Sequence, residues 1–447
     1  MSKQNADRQG CPPRVEQTLL SAQVIAELLS APRRIHMLGI GGIGMAGLAF
    51  LLKESGHTVS GSDTQENRQT DWLRGKGIAI QNEVPPDAEW IIRSRAVPDS
   101  HPDVRAATVR LSWRGDVLPE LLRERFTIAV SGTHGKTTTT AMIAQILDCG
   151  YCIGGEVEGF DGTARDGGIM VVEADESDGT VANYHPDIAV ITNIEYDHME
   201  HHADFESFEA CFRKFIEQAK EKIIYCAEDP VATRLCEKNP KAVGYQYPIS
   251  NNQYSISLPG RHNLLNAMAA VEVCKQWLSE EIIWQRLETL HPVKRRFEVV
   301  HQGEYTVISD YAHHPTEIRA LIDTAFETLK PKRLLGVFQP HRYTRTLALG
   351  PDFPPAFQGL EKLWLLPVYA ASEEPIEGGT TADLIKKFPE SEKMDIKFFQ
   401  TLEKTWQDVQ CELCAGDVLL IIGAGDIEKI GEWSKGVKER GDVGVSE

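Results

Sequence analysis

The sequence predicts an α/β fold in three domains, each built on a mostly parallel sheet. Three observations predict it. Short apolar, β-rich runs recur along the chain and alternate with segments of helical spacing, as parallel sheets require. Two of these runs open into glycine-rich turns that lead straight into helices, the local unit of a phosphate site. Most runs end in polar or glycine residues, as strands do when their C-terminal ends line a ligand crevice. A chain of 447 residues has room for several cores.

Composition narrows the function. With 42% hydrophobic and 25% charged residues the chain reads as a water-soluble globular protein. A net charge of −18 argues against a nucleic-acid partner, which needs basic stripes. No apolar run approaches the roughly 20 residues that span a bilayer, so no membrane partner is expected. The opening Met-Ser-Lys-Gln-Asn-Ala-Asp-Arg has no apolar signal core, which points to the cytoplasm. Nine cysteines include Cys149/Cys152 and Cys411/Cys414 at C-x-x-C spacing. The pairs are far apart in the chain, and ordinary reduced thiols are expected.

Residues 1–120 read as a Rossmann-like domain behind a disordered leader. Ser21 to Leu29 has the spacing of a short amphipathic helix. Arg34 to Leu38 is a strand that runs into Gly39-Ile-Gly41-Gly42-Ile43-Gly44 and a helix from Met45 to Ser55. A second strand ends in Asp63, about 20 residues on. Strand, glycine turn, helix, strand and acid form the dinucleotide-type fingerprint: a diphosphate at the helix N-terminus and an acid on a sugar hydroxyl. Ser94 follows a further strand.

Residues 121–295 form the second domain. Phe126 to Val130 is a buried-strand run, and Ser131-Gly132-Thr133-His134-Gly135-Lys136-Thr137-Thr138 follows, then helical spacing from Thr139 to Leu147. Glycines let the backbone curl its N–H groups inward, and the helix N-terminus adds partial positive charge. Lys136 would reach the outer phosphates and the Thr137 hydroxyl a Mg²⁺ ion. The loop is a short G-x-x-G-K-T form, with Val130 where a P-loop usually has its first glycine. Ile169 to Val172 ends in Glu173-Ala-Asp175-Glu176, and Glu173 is the expected second magnesium ligand. Ile188 to Asn193 leads to Glu195-Tyr-Asp197-His198, where His198 is a further candidate metal ligand. His262, Asn263 and Asn266 open a helix and could cap it or meet a base edge.

Residues 296–447 read as a C-terminal Rossmann-like α/β domain. Its strands end in Asp310-Tyr-Ala-His313-His314-Pro-Thr316-Glu317, Gln339-Pro-His341-Arg342-Tyr-Thr-Arg345-Thr346, Pro367-Val-Tyr369 and Gly423-Ala-Gly425-Asp426. Two arginines with a histidine inside six residues can clamp a carboxylate or phosphate.

Taken together these strings resemble the Mur ligase family over nearly the whole chain, from about residue 33 to about 430. They resemble in particular the branch that adds L-alanine to UDP-N-acetylmuramate in peptidoglycan synthesis. Its relative that recycles murein tripeptide carries a different string where this chain has F-Q-P-H-R-Y-T-R-T. The resemblance implies ATP-driven amide formation through an acyl phosphate. It implies UDP-sugar binding by Gly39, Gly41, Gly42, Ile43, Gly44, Asp63 and Ser94, and ATP binding by Gly132 to Thr138. Asn263 and Asn266 match the family's adenine contacts, and Arg296 and Asp310 its further ATP contacts. It implies two Mg²⁺, one on Thr137 and Glu173 and one on His198. His314, His341, Arg342 and Arg345 match the group around the acyl phosphate and alanine, with Arg345 on the alanine carboxylate. A monomer or weak homodimer is expected. Three strings depart from the family: Ser94-Arg95-Ala96 for Ser-Ser-Ala, Gln81-Asn82 for Gly-His, and Thr163-Ala164-Arg165 for Asn-Ala-Arg.

Overall fold

The computed structural model describes residues 20–197, 202, 204–248, 256–371, 373–389 and 394–436. The expected leader and His198 lie outside the described residues. The chain forms two compact units, Met1–Leu121 and Leu122–Glu447.

The first unit holds strands β1 (Arg34–Leu38), β2 (Thr58–Ser62), β3 (Ala79–Ile80), β4 (Trp90–Arg93) and β5 (Arg110–Trp113). They form a five-stranded parallel sheet in the order β3-β2-β1-β4-β5. The order reverses beside β1, so the turn after β1 sits at a topological switch point. The helix after that turn spans Ile43–Glu54 and buries Met45, Leu48, Leu51 and Leu52. Each such side chain contributes ~1.5–3 kcal/mol when taken out of water.

The second unit holds two sheets. Strands β6 (Phe126–Ser131), β7 (Gly150–Cys152), β8 (Ala164–Arg165), β9 (Ile169–Glu173), β10 (Ile188–Ile191), β11 (Lys222–Cys226) and β12 (Ala242–Tyr245) pair in the order β12-β11-β10-β6-β9-β7-β8. Only β7 and β8 are antiparallel. The apolar runs read from the sequence are its inner strands. Helices Lys136–Leu147 and Arg261–Cys274 share a core with Ile128, Val130, Val171 and Val190.

The other sheet contains β13 (Glu298–Gln302), β14 (Thr306–Asp310), β15 (Arg333–Phe338), β16 (Lys362–Leu365), β17 (Asp395–Phe398) and β18 (Asp417–Ile422), in the order β13-β14-β18-β15-β16-β17. Edge strand β13 is antiparallel to β14. Helix Pro315–Leu329 buries Ile318, Leu321, Ile322 and Ala325.

The helices after the two glycine turns start at Ile43 and Lys136, earlier than the apolar spacing suggests. Lys136, Thr137 and Thr138 are polar and Gly44 has no side chain, so hydrophobic periodicity does not register these starts. Among the described residues no helix is long and apolar enough to cross a membrane.

Candidate active site

The turn after β6 is shaped by what surrounds it. Gly132 has φ +131, and a Cβ there would run into the Thr192 side chain and the Asn193 backbone. Gly135 has φ +82, and a Cβ there would strike the Asn266 amide. Only glycine fits both positions. The segment after β10 clamps the loop from outside. Asn193 Oδ1 accepts from the His134 amide at 2.8 Å, Thr192 Oγ1 donates to the His134 carbonyl at 2.6 Å, and Thr133 Oγ1 accepts from the Glu195 amide at 2.9 Å. Gly135 provides no side-chain cap for the helix it opens, so the first-turn amides suit an anion.

Lys136 and the carboxylates after β9 meet at this turn. Lys136 Nζ donates to the Gly132 carbonyl at 2.6 Å and to Glu176 Oε1 at 2.8 Å. Burial would strip the lysine of its proton, but Glu176 and Asp175 outweigh it and raise its pKa. The Thr137 hydroxyl donates to Glu173 Oε2 at 3.2 Å, and Glu173 Oε1 accepts from the Gly154 amide at 2.7 Å. Burial raises the Glu173 pKa against the pull of that amide and of Lys136. Two hard oxygen donors, Thr137 in the first turn of the helix and Glu173 at the end of β9, fit Mg²⁺ beside the phosphate turn.

Beside the turn lies a cavity of about 510 Å³, the size of a nucleotide pocket. Of the residues expected around ATP, His134, Gly135, Thr138, Asn263, Asn266, Arg296 and Asp310 border it. Gly132, Thr133, Lys136 and Thr137 lie on the adjoining turn. Asn263 and Asn266 are both buried, and Asn263 Nδ2 donates to the Pro259 carbonyl at 2.6 Å, so it also fixes the helix start. Asp310 spends its oxygens on the Phe297 and Ala312 amides, at 2.7 and 2.8 Å. Desolvation raises its pKa. In this conformation Asp310 braces the backbone that flanks Arg296.

The edge of the C-terminal sheet adjoins the same turn. His314 caps helix Pro315–Leu329, and Glu317 closes the capping box. Glu317 Oε1 lies 3.2 Å from His134 Nδ1 and 3.7 Å from Arg296 Nη1. Burial disfavours its charge, yet His313, His134 and Arg296 hold its pKa well below the usual range. Burial likewise works against charge on His134, but Glu317 and Glu195 raise its pKa to about 9. Glu195 Oε2 accepts from the Thr316 hydroxyl at 2.7 Å. Arg345 grips Asp197 with two bonds, Nε to Oδ1 at 3.0 Å and Nη2 to Oδ2 at 3.1 Å, and its Nη1 contacts His341 Nδ1 at 3.1 Å. Burial, then His313 and Arg345, push the His341 pKa down to about 2. Arg342 sits at φ +72 with Nη1 3.5 Å from Glu373.

The first unit carries the second glycine turn. Gly39 has φ +75, and Gly42 gives the helix Ile43–Glu54 no side-chain cap. Asp63 Oδ2 accepts from the Gly41 amide at 2.8 Å, and Oδ1 from the Gln65 amide at 3.2 Å. The acid expected on a sugar hydroxyl thus also fixes the turn. Ser94 packs its Cβ 3.1 Å from where one on Gly39 would stand. The Arg114 guanidinium reaches to 3.0 Å from the Cβ position of Gly44, over the helix start. Sequence reasoning missed Arg114, Asn193, Glu195 and Glu317. Their roles come from partners distant in sequence, although T-N-I-E and H-P-T-E stood out as strand ends.

Fold and site define a multidomain, ATP-dependent P-loop ligase. The chain belongs to the Mur ligase family. Family models match as the Mur ligase family catalytic domain over residues 34–124, the Mur ligase middle domain over 130–253, and the Mur ligase glutamate ligase domain over 295–425. UDP-N-acetylmuramate–L-alanine ligase of Allorhizobium ampelinum is 35% identical over 88% of this chain and 94% of its own. The enzyme of that name from Solibacter usitatus is 34% identical over 92% and 96%. The crystal structure of UDP-N-acetylmuramate-alanine ligase from Thermotoga maritima is similar at TM-score 0.76 and 27% identity, over 90% of this chain and 98% of that one. A murein peptide ligase from Psychrobacter arcticus shares the fold, at TM-score 0.69, 23% identity and the same coverage.

Proposed function

We propose that this enzyme joins L-alanine to the lactyl carboxylate of UDP-N-acetylmuramate at the expense of ATP. A carboxylate is a poor acyl donor, so it is first activated. A lactyl oxygen attacks the γ-phosphorus and the bond to the β-phosphate oxygen breaks, leaving ADP and an acyl phosphate. The alanine amine then attacks the acyl carbon and loses a proton, and the tetrahedral intermediate expels phosphate. Residues 1–120 would bind the UDP-sugar, 121–295 ATP, and 296–447 the amino acid. The chemistry belongs to the cytoplasm, where both nucleotides are available.

The protein's work in this scheme is placement and charge neutralisation. Lys136 and the loop amides neutralise the γ-phosphate, which requires Lys136 to release Glu176. Asn263 and Asn266 hold the base, and Arg296 the phosphate tail. His314, His341 and Arg342 would surround the acyl phosphate, and Arg345 would receive the alanine carboxylate, which requires its fork to release Asp197. Thr137 and Glu173 would hold one Mg²⁺ and His198, outside the described residues, a second. Magnesium would supply charge neutralisation to the phosphoryl transfer. The UDP diphosphate lies over Gly39, Gly41, Gly42, Ile43 and Gly44, with Asp63 and Ser94 beside it.

The observation that supports this reading is the contact of Thr137 with Glu173 at the phosphate turn and of His134, on that turn, with Glu317 and His314 of the C-terminal sheet. The test is phosphate release with ATP, Mg²⁺ and UDP-N-acetylmuramate, adding L-alanine, glycine, L-serine or murein tripeptide in turn. L-Alanine is expected to give the fastest release. Release with tripeptide and none with L-alanine would assign the chain to the recycling reaction instead.

A further inference from the structure

We propose that His134, Glu195 and His314 form a transition-metal site of the zinc class, tying the phosphate turn to the C-terminal sheet. These residues come from the β6 turn, the segment after β10 and the start of helix Pro315–Leu329. One ligand atom from each lies within 4.8 Å of the others. Glu195 Oε2 is 3.5 Å from His134 Nε2 and 3.8 Å from His314 Nδ1, and the imidazole centroids are 4.7 Å apart. His134 Nε2, the atom that faces Glu195, is buried without a hydrogen-bond partner. A buried imidazole nitrogen in that state is satisfied by a metal or pays a desolvation penalty.

The surroundings are those of a built site. His134 turns Nδ1 toward Glu317 at 3.2 Å, the carboxylate-behind-imidazole arrangement that orients metal-binding histidines. Thr316 Oγ1 holds Glu195 Oε2 at 2.7 Å. The competing bond to His314 Nδ1 is a long one, the Thr316 amide at 3.3 Å. Two imidazoles and one carboxylate suit Zn²⁺, Co²⁺ or Ni²⁺, whereas Mg²⁺ prefers the oxygen pair of Thr137 and Glu173. Three protein ligands leave a fourth position open, and His134 and Glu195 both border the cavity. A metal here opposes separation of the central and C-terminal sheets. The site stands on these residues alone and does not depend on which amino acid the enzyme takes.

The test uses untagged, metal-stripped full-length protein titrated with Zn²⁺ in a calorimeter. The expected result is one saturable site per chain, undisturbed by millimolar Mg²⁺ and weakened by at least about tenfold in Glu195→Gln and in His314→Asn. Asparagine keeps an acceptor for the Thr316 amide, so the helix cap survives the loss of the imidazole. His291→Ala, at an exposed histidine outside the cluster, should bind as wild type does. Co²⁺ should give the visible bands of a four-coordinate ion in wild type and lose them in both variants. Wild type without saturable zinc uptake, or folded variants that bind as tightly as wild type, would show a plain ion-pair network and overturn the proposal.

Discussion

Replacing Arg345 by methionine removes one half of a buried, two-bond ion pair and leaves Asp197 charged with its fork gone. The side chains of Arg345 and Asp197 are only 4% and 5% exposed, so solvent cannot take over the lost contact. Breaking such a pair from one side costs about 3–5 kcal/mol. Unfolding entropy runs at about 2 cal/mol/K per residue, so a unit of about 300 residues changes by ~0.6 kcal/mol per kelvin. Arg345→Met and Asp197→Leu should therefore each lower Tm by about 5–8 °C in differential scanning calorimetry. The double variant should recover most of that loss, because two apolar side chains of similar volume leave no orphaned charge. On the proposed role of Arg345 at the alanine carboxylate, phosphate release should stay low in the double variant. Single variants within about 1 °C of wild type, or a double variant as unstable as both losses added, would refute the buried pair as a tie between the two sheets.

Three further outcomes are expected. Lys136→Ala should lower phosphate release by at least about 10³-fold while UDP-N-acetylmuramate still binds in calorimetry; loss of both would mean that the two sites are not separate. Gly135→Ala should weaken ATP binding by at least about tenfold, because its φ of +82 and the Asn266 amide both resist a Cβ. His36 is fully buried, and burial lowers its pKa to about 4 against the opposing pull of Asp103. The unfolded chain therefore binds the extra proton between about pH 6.5 and 4, and stability falls as pH drops through that window by ~3 kcal/mol. His36→Leu should flatten this fall in Tm measured from pH 7 to pH 4; an unchanged slope would count against it.

Much of the fold was legible because its signals are local. The runs at Phe126, Ile169, Ile188, Arg333 and Asp417 became inner strands, since strands covered on both faces are apolar throughout. Both glycine turns were legible because a positive φ or a crowded backbone leaves few alternatives to glycine. Edge pieces such as β8 and β13 were not, being short, partly exposed and without a clear period. The same division runs through the candidate site. Lys136 and Thr137 open the helix after the phosphate turn and Glu173 ends β9, so they could be picked out one by one. Glu176 on Lys136, Glu317 on His134 and Asp197 on Arg345 could not, because each pair joins residues 40 to 183 positions apart, brought together only when the sheets pack.

The sequence by itself determined the strand–turn–helix units, the phosphate turn and the family, because backbone sterics and hydrophobic period act within a few residues. Tertiary structure alone decided which charges face one another, which imidazoles lose their water and where a cavity opens. Those properties depend on desolvation and on distances between segments remote in the chain, and no local pattern encodes them.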